Sequence, residues 1–179
     1  RKNVLAGKSY TLSRDAGSDG NYADPEGVKL TDGAYAEQFN TYSWTGFAGG
    51  TPVTIDLDLG DDAHGIADIE IGCLRQQEYG VGLAGSVTLY ASTDGENYSS
   101  LGSVYMPASP DPAKFTYTFR LSEILKARYI RLSFSRQEMG WFFIDEISAY
   151  AYSADYEPEQ DTVAQYYGDP TIETSEPSY

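Results

Sequence analysis

The chain is short of the side chains on which much enzyme chemistry and cross-linking depend. Its 179 residues include one cysteine, Cys73, and one histidine, His64. A single cysteine excludes an internal disulfide. Cys73 follows Ile69 and Ile71 in an apolar alternation and reads as a small buried hydrophobe. A secreted protein from a source that avoids disulfides fits this usage as well as a cytosolic one does. His64 lies in "DDAHGIA", a turn between strands, with no cysteine or serine motif to serve. There is no Gly-x-Ser-x-Gly elbow and no phosphate-binding glycine loop. Paired carboxylates for glycoside hydrolysis can be drawn from 27 acids, but nothing singles out two. The chain is therefore read as a non-enzyme.

Positive charge is also scarce. Lys and Arg total 12 against 27 Asp and Glu, a net charge of -15. Such a balance repels phosphate backbones and anionic lipid, which excludes nucleic acid as a partner and leaves neutral sugars, cationic partners and divalent ions. No apolar run approaches the roughly 18 residues of a membrane span, so membrane insertion is not expected. The chain opens on Arg1, Lys2 and Asn3 rather than on an apolar leader, and is read as a piece of a longer protein. Helical periodicity is nearly missing as well.

Tyrosine, in contrast, is abundant: 16 residues, within an aromatic content of 14%. Tyrosine joins a flat apolar face to a hydroxyl on one stiff side chain, which suits polar ring-shaped ligands; β-propensity explains the same enrichment. Period-two alternation is strong. "VTIDLDL" sets Val53, Ile55, Leu57 and Leu59 on one face, and "SVTLYAS" does so with Val87, Leu89 and Ala91. "KFTYTFRL" aligns Phe115, Tyr117 and Phe119, and "RYIRLSFS" aligns Ile130, Leu132 and Phe134. "WFFIDEISAYAY" reads as a last long strand with a bulge, since Ile144 and Ile147 share a face only across one. "LSEILKA" at 121–127 reads as one helical turn. "TDGENY" reads as an ordinary hairpin turn. Roughly eight antiparallel strands, each with one polar face, make a β-sandwich. From Ser153 to Tyr179 there are seven acids, three prolines and no Lys or Arg, a linker composition, so the domain is placed at 1–152 and the acidic tail at 153–179.

The order of "NVLAGKSYTLS", "YADPEGVKLTDG", "WTGF", "VTIDLDLG", "LYASTDGENY", "ARYIRLSF" and "FIDEISAY" resembles the discoidin-like, coagulation factor 5/8 type C group of the galactose-binding-like superfamily, which includes family 32 carbohydrate-binding modules. The likeness covers about residues 3–152. It implies an all-β, eight-stranded antiparallel jelly-roll sandwich with ligand on loops at one end. It also implies a structural calcium beside those loops, held by the Asp-Gly loop and a glutamate of the last strand. The matching residues here are Asp32 and Glu146, with Leu30 and Ser43 as further ligands; a threonine common in the group's Thr-x-Trp pattern is replaced by Tyr42. The missing cysteine pair points to the bacterial branch.

Calcium takes six to eight oxygens, which the stretch 30–43 can supply from side chains and carbonyls. "DAGSDGNYADPE" at 15–26 matches an EF-hand loop only at Asp15, Asp19, Gly20 and Glu26, and lacks flanking helices. Sugar recognition needs aromatic faces and planar polar groups. Three loops carry them: Arg14, Asp19, Asn21 and Tyr22; Arg75, Gln76, Gln77, Glu78 and Tyr79; and Arg136, Gln137, Glu138 and Trp141. The candidate ligand residues are Tyr22, Arg75, Gln76, Tyr79, Arg136, Gln137 and Trp141, on loops next to "LTDGAYAEQFNTYSW" rather than inside it. Trp44 and Trp141 read equally as plugs of the sandwich end. The expected function is a non-catalytic, monomeric carbohydrate-binding module of a larger extracellular or cell-surface bacterial protein, taking a glycan or polysaccharide. The alternatives are a protein-binding adhesion module and a structural spacer.

Overall fold

A computed structural model describes residues 1–18, 20–60, 64–108 and 113–152. The expected linker at 153–179, Asp19, the Asp61-Asp62 turn, most of "PASPDP" and the His64 side chain lie outside what is described. Eleven strand segments occur among the described residues. They are β1 (Lys2–Asn3), β2 (Tyr10–Leu12), β3 (Thr45–Ala48), β4 (Val53–Asp58), β5 (His64–Leu74), β6 (Val81–Gly82), β7 (Ser86–Ser92), β8 (Ser99–Tyr105), β9 (Lys114–Ala127), β10 (Tyr129–Phe134) and β11 (Trp141–Ala151). Two short 3-10 turns, Lys29–Thr31 and Gln77–Tyr79, are the described helical segments.

The strands form two sheets. One runs β2-β4-β10-β7-β8, antiparallel throughout. The other runs β1-β11-β5-β9, with β3 and β6 also paired to β11. The alternating apolar residues named above face each other between the sheets: Ile55, Leu57, Ile69, Ile71, Leu89, Ile130, Leu132 and Phe119 are wholly buried. Each contributes on the order of 1.5–3 kcal/mol from burial. Cys73 lies among them, and burial pushes its thiol up, so it is inert packing. The all-β sandwich expectation holds. The strand number rises above eight because β1, β3 and β6 are two- to four-residue pairings along β11.

One expectation fails. Residues 121–127 are strand, the second half of β9, rather than a helical turn. Their apparent i, i+4 spacing comes from a bulge: Asp68 pairs with Arg120 but Ile66 pairs with Leu125. Long β5 offers a ladder there, and that pairing overrides local spacing.

The bulge read in the last strand is present. Ile144 pairs with Cys73 and Ile147 with Ile71, so three steps on β11 oppose two on β5. The residues inside the bulge are Asp145 and Glu146, and both are buried. A carboxylate in this position needs room on the neighbouring strand. Gly72 provides it: a Cβ there would lie 2.0 Å from Asp145 Oδ1.

Candidate functional site

The stretch 32–43 has no regular secondary structure, and it crosses the end of the sandwich where β11 begins. Its hydrogen bonds go largely to the bulge. Glu146 Oε2 accepts from the Gly33 N–H at 2.8 Å, and Asp145 Oδ2 accepts from the Ala36 N–H at 2.9 Å. Lys114 Nζ donates to the Ala36 carbonyl at 2.5 Å and to Asp145 Oδ2 at 2.8 Å. Trp44 is fully buried, donates its indole N–H to the Gln38 carbonyl and stacks on Phe143, so it is a plug.

This loop delivers Phe39 to the surface. Phe39 stacks on Tyr79 with centroids 4.5 Å apart and planes at 29°. Behind them Phe143 packs on Tyr22 at 4.6 Å, and Tyr22 meets the edge of Trp141 at 4.9 Å. Tyr79 is 53% exposed, while Tyr22, Phe39 and Trp141 are half-buried. Four segments remote in sequence thus make one aromatic platform. Next to it lies a depression of about 320 Å³ lined by Glu37, Gln38, Phe39, Gln76, Tyr79 and Ala113. A second, about 440 Å³, opens on the other side of Phe39 toward Asn40 and Tyr42. Neither is lined by a lysine or arginine.

Tyr22 sits with φ at +59°, a left-handed conformation that bulky residues avoid. Its N–H donates to the Thr41 carbonyl and its carbonyl accepts from the Gly46 N–H, which together hold it there. Such strain, of order 1–3 kcal/mol, gathers at functional sites. A Cβ on Gly46 would lie 2.8 Å from both the Phe143 ring and the Tyr22 Cβ, so glycine is what lets the aromatic layer close over β3.

Of the predicted ligand residues, Tyr22, Gln76, Tyr79 and Trp141 come together here. Arg136 is exposed on its own loop. Arg75 and Gln137 require correction: each is only 6% exposed and points inward. Arg75 donates to both Glu138 oxygens, at 2.8 and 3.3 Å, and Glu138 also accepts from the Leu83 N–H. Gln137 donates to the Phe47 carbonyl at 3.2 Å. Arg75 locks the 75–80 and 135–141 loops together and Gln137 ties the latter to β3, instead of facing solvent. Arg14 likewise donates to the Ala48 and Thr51 carbonyls. Phe39 was missed, because the stretch containing it reads as an ion loop; an aromatic amid amides, "EQFN", was the available signal.

The proposed calcium ligands divide. Glu146 Oε1 is buried and has no hydrogen-bond partner, and burial, with the nearby Asp32 charge, pushes this carboxyl up to about 8. An orphaned carboxylate oxygen beside a second carboxylate fits a hard cation. Among the described residues no three His, Cys, Asp or Glu side chains gather as a metal cluster, so most oxygens of such an ion would come from carbonyls and water. Leu30 is buried on the 3-10 turn against β11, its N–H given to the Tyr10 hydroxyl. Ser43 gives its N–H to Asn40 Oδ1 within the loop's own turn. The EF-hand pattern at 15–26 has no flanking helices among the described residues; instead Asp24 accepts from the Val28 and Lys29 N–H groups and from the Tyr10 hydroxyl.

No protein-family model and no curated protein matches the chain in sequence. Solved structures do match in shape. The CpGH89CBM32-5 module from Clostridium perfringens, in complex with GalNAc-β-1,3-galactose, aligns with TM-score 0.61 at 17% identity, covering 84% of this chain and 100% of that one. Chitosan-binding module 2 of a chitosanase/glucanase from Paenibacillus sp. IK-5, in complex with chitotriose, gives 0.57 at 19%, covering 83% and 100%. A Streptococcus pneumoniae fucose-binding module, SpX-3, gives 0.58 at 13%, covering 86% and 100%. At such identities the likeness is one of fold alone: the chain has the two-sheet β-sandwich of these modules.

Proposed function

We propose that the chain is a non-catalytic carbohydrate-binding module acting outside the cell, and that its glycan rests on the Phe39–Tyr79 platform. The observation that carries this reading is the convergence of Tyr22, Phe39, Tyr79 and Trp141 on one surface, rimmed by Glu37, Gln38 and Gln76. Aromatic faces take the C–H face of a sugar ring, and amides and carboxylates take its hydroxyls. The similar modules named above hold GalNAc-β-1,3-galactose and chitotriose or bind fucose, which supports a sugar as ligand. Lys114 and Arg75 are engaged by Asp145 and Glu138, and the net charge is -15. The platform therefore selects neutral or amino sugars against uronates and sulfated chains. Its role would be to tether a larger protein to glycan and raise local concentration.

A calcium ion held by Asp32 and Glu146, with Leu30 and Ser43 as the other candidate ligands, would fix the 32–43 loop; it would supply charge compensation to Glu146 and no chemistry.

The test is titration of the protein with chitotriose, fucose, GalNAc-β-1,3-galactose and an oligogalacturonate. At least one neutral or amino sugar binds, the oligogalacturonate does not, and Phe39→Ala weakens the binding at least tenfold, on the order of a buried aromatic contact. Full retention of binding in Phe39→Ala removes the site from this surface.

A further inference from the structure

Phe39 lies near the middle of a stretch with no regular secondary structure, yet its ring is stacked on a residue from a different loop. Something has to hold it there. The Trp44 indole secures the Gln38 carbonyl on one side. Further back, three residues before Phe39, the backbone N–H and carbonyl of Ala36 are both gripped by a single ion pair. Asp145 Oδ2 accepts from its N–H, Lys114 Nζ donates to its carbonyl, and the two side chains meet at 2.8 Å. The Asp145 side chain is wholly buried and the Lys114 side chain is 18% exposed. The Lys114 ammonium also lies 3.6 Å from Glu37 Oε2 and 5.6 Å from the Trp44 ring centre. Lys114 opens β9 and Asp145 sits in the β11 bulge, so the pair fastens the loop to two core strands at once.

We propose that Lys114 and Asp145 are positioning residues for the glycan platform: without touching sugar, they hold Ala36 so that Phe39 is already stacked on Tyr79 before ligand arrives. This rests on the reading of the platform as a glycan site. The physical cause is preorganisation. A loop that has to be ordered on binding weakens apparent affinity by the fraction of time it is competent. If losing the pair lets Phe39 occupy its stacked position a tenth of the time, affinity falls about tenfold with every sugar contact intact. The anchor at Gly33 and Glu146 is six residues from Phe39 and does not replace this one.

Removing Lys114 alone would strand a buried carboxylate, so the informative variant is the neutral pair Lys114→Met with Asp145→Asn, which keeps an acceptor for the Ala36 N–H while removing the ammonium that grips its carbonyl, together with that ammonium's contacts to Glu37 and Trp44. Two readouts are taken. Without ligand, aromatic NMR follows the ring-current shift that Phe39 imposes on Tyr79; it collapses toward the free-tyrosine position in the variant. With chitotriose, fucose and GalNAc-β-1,3-galactose, affinity for whichever binds the native protein falls about tenfold in the variant. The same change made in a Phe39→Ala background has no further effect on affinity. An unchanged Tyr79 shift with affinity within twofold of native overturns the proposal. So does an affinity loss that persists without Phe39. If the native protein binds none of the sugars, the glycan reading falls, while the Tyr79 shift still decides whether the pair places Phe39. Should the variant fail to fold, amide exchange of the native protein decides: Ala36 N–H exchanges as slowly as the β11 core, and exchange as fast as at Ala34 or Tyr42 overturns the proposal.

Discussion

The molecule uses the same ionic chemistry in two places to different ends. On the outer face of the five-stranded sheet, Arg131 grips Asp56 across β10 and β4 at 2.7 and 3.0 Å, and Arg128 grips Asp58 at 2.9 and 3.1 Å. Both pairs are bidentate, and all four side chains are about a third exposed. At the loop end, Lys114–Asp145 and Arg75–Glu138 each have one buried partner, Asp145 and Arg75, and each is knotted into backbone groups of a loop. Solvent screens the first kind, whose typical worth is about 0–1 kcal/mol. In the second kind one partner is held out of water, so removing the other, Lys114 or Glu138, leaves a stranded buried charge costing roughly 3–5 kcal/mol. The surface pairs decorate strands whose pairing is already set by the ladder. The buried pairs decide where irregular backbone goes, and that backbone carries the platform.

The sharpest way to break this contrast is Gly72→Ala. The new Cβ would displace the Asp145 carboxylate, and unfolding free energy should fall by roughly 3–5 kcal/mol, about 10 °C in Tm. Urea denaturation checks it; a change under about 1 kcal/mol would show that the bulge yields without loss.

Chelation is the next largest. Removing calcium with EDTA should lower Tm by roughly 5 °C, given 2–4 °C per kcal/mol in a domain of this size. The metal-free protein should also respond to pH through Glu146. Its carboxyl, raised from 4.5 to about 8 by burial and by Asp32, holds a proton in the folded chain that the unfolded chain has lost. The contribution of Glu146 to stability in EDTA is therefore full below about pH 4.5 and is lost as pH rises to about 8. Calcium should flatten that decline. Equal melting curves with EDTA and with calcium, unchanged in Asp32→Ala, would discard the ion.

Tyr79→Ala sharpens the comparison from the binding side. More than half of Tyr79 faces solvent, so Tm should move by under roughly 2 °C while sugar affinity drops at least tenfold. Calorimetric titration beside a melting curve separates the two. The smallest effect belongs to Arg131→Ala, expected within about 1 kcal/mol in urea and with no change in sugar affinity. A larger loss would mean that the cation over the Tyr98 ring, 4.0 Å from its centre, holds more than an exposed pair should.

Much of the sandwich was legible because alternation is a local property. Val53, Ile55, Leu57 and Leu59 point one way whatever their partners are, and their burial follows from any two-layer packing. The bulge was legible for the same reason, since Ile144 and Ile147 could share a face only if the ladder slipped. The second half of β9 was not, because its spacing fits a helix until β5 offers a long partner. At the site, residue types were readable and directions were not. Arg75-Gln76 and Arg136-Gln137 look alike on paper. In the fold the first arginine is turned inward and the second outward, while the glutamines show the reverse order of exposure.

By itself the sequence determined an all-β sandwich with an acidic surface, free of disulfides, and a last strand carrying two adjacent acids. Each of these follows from composition or from the two-residue period of a strand. Only the tertiary structure decided which of those acids meets a lysine and which meets the Asp32 loop, that Phe39 belongs to the platform, and that Arg75 does not. Loop side chains take their direction from contacts with distant segments, here from β9, the β11 bulge and the 75–80 turn, and no local periodicity records those contacts.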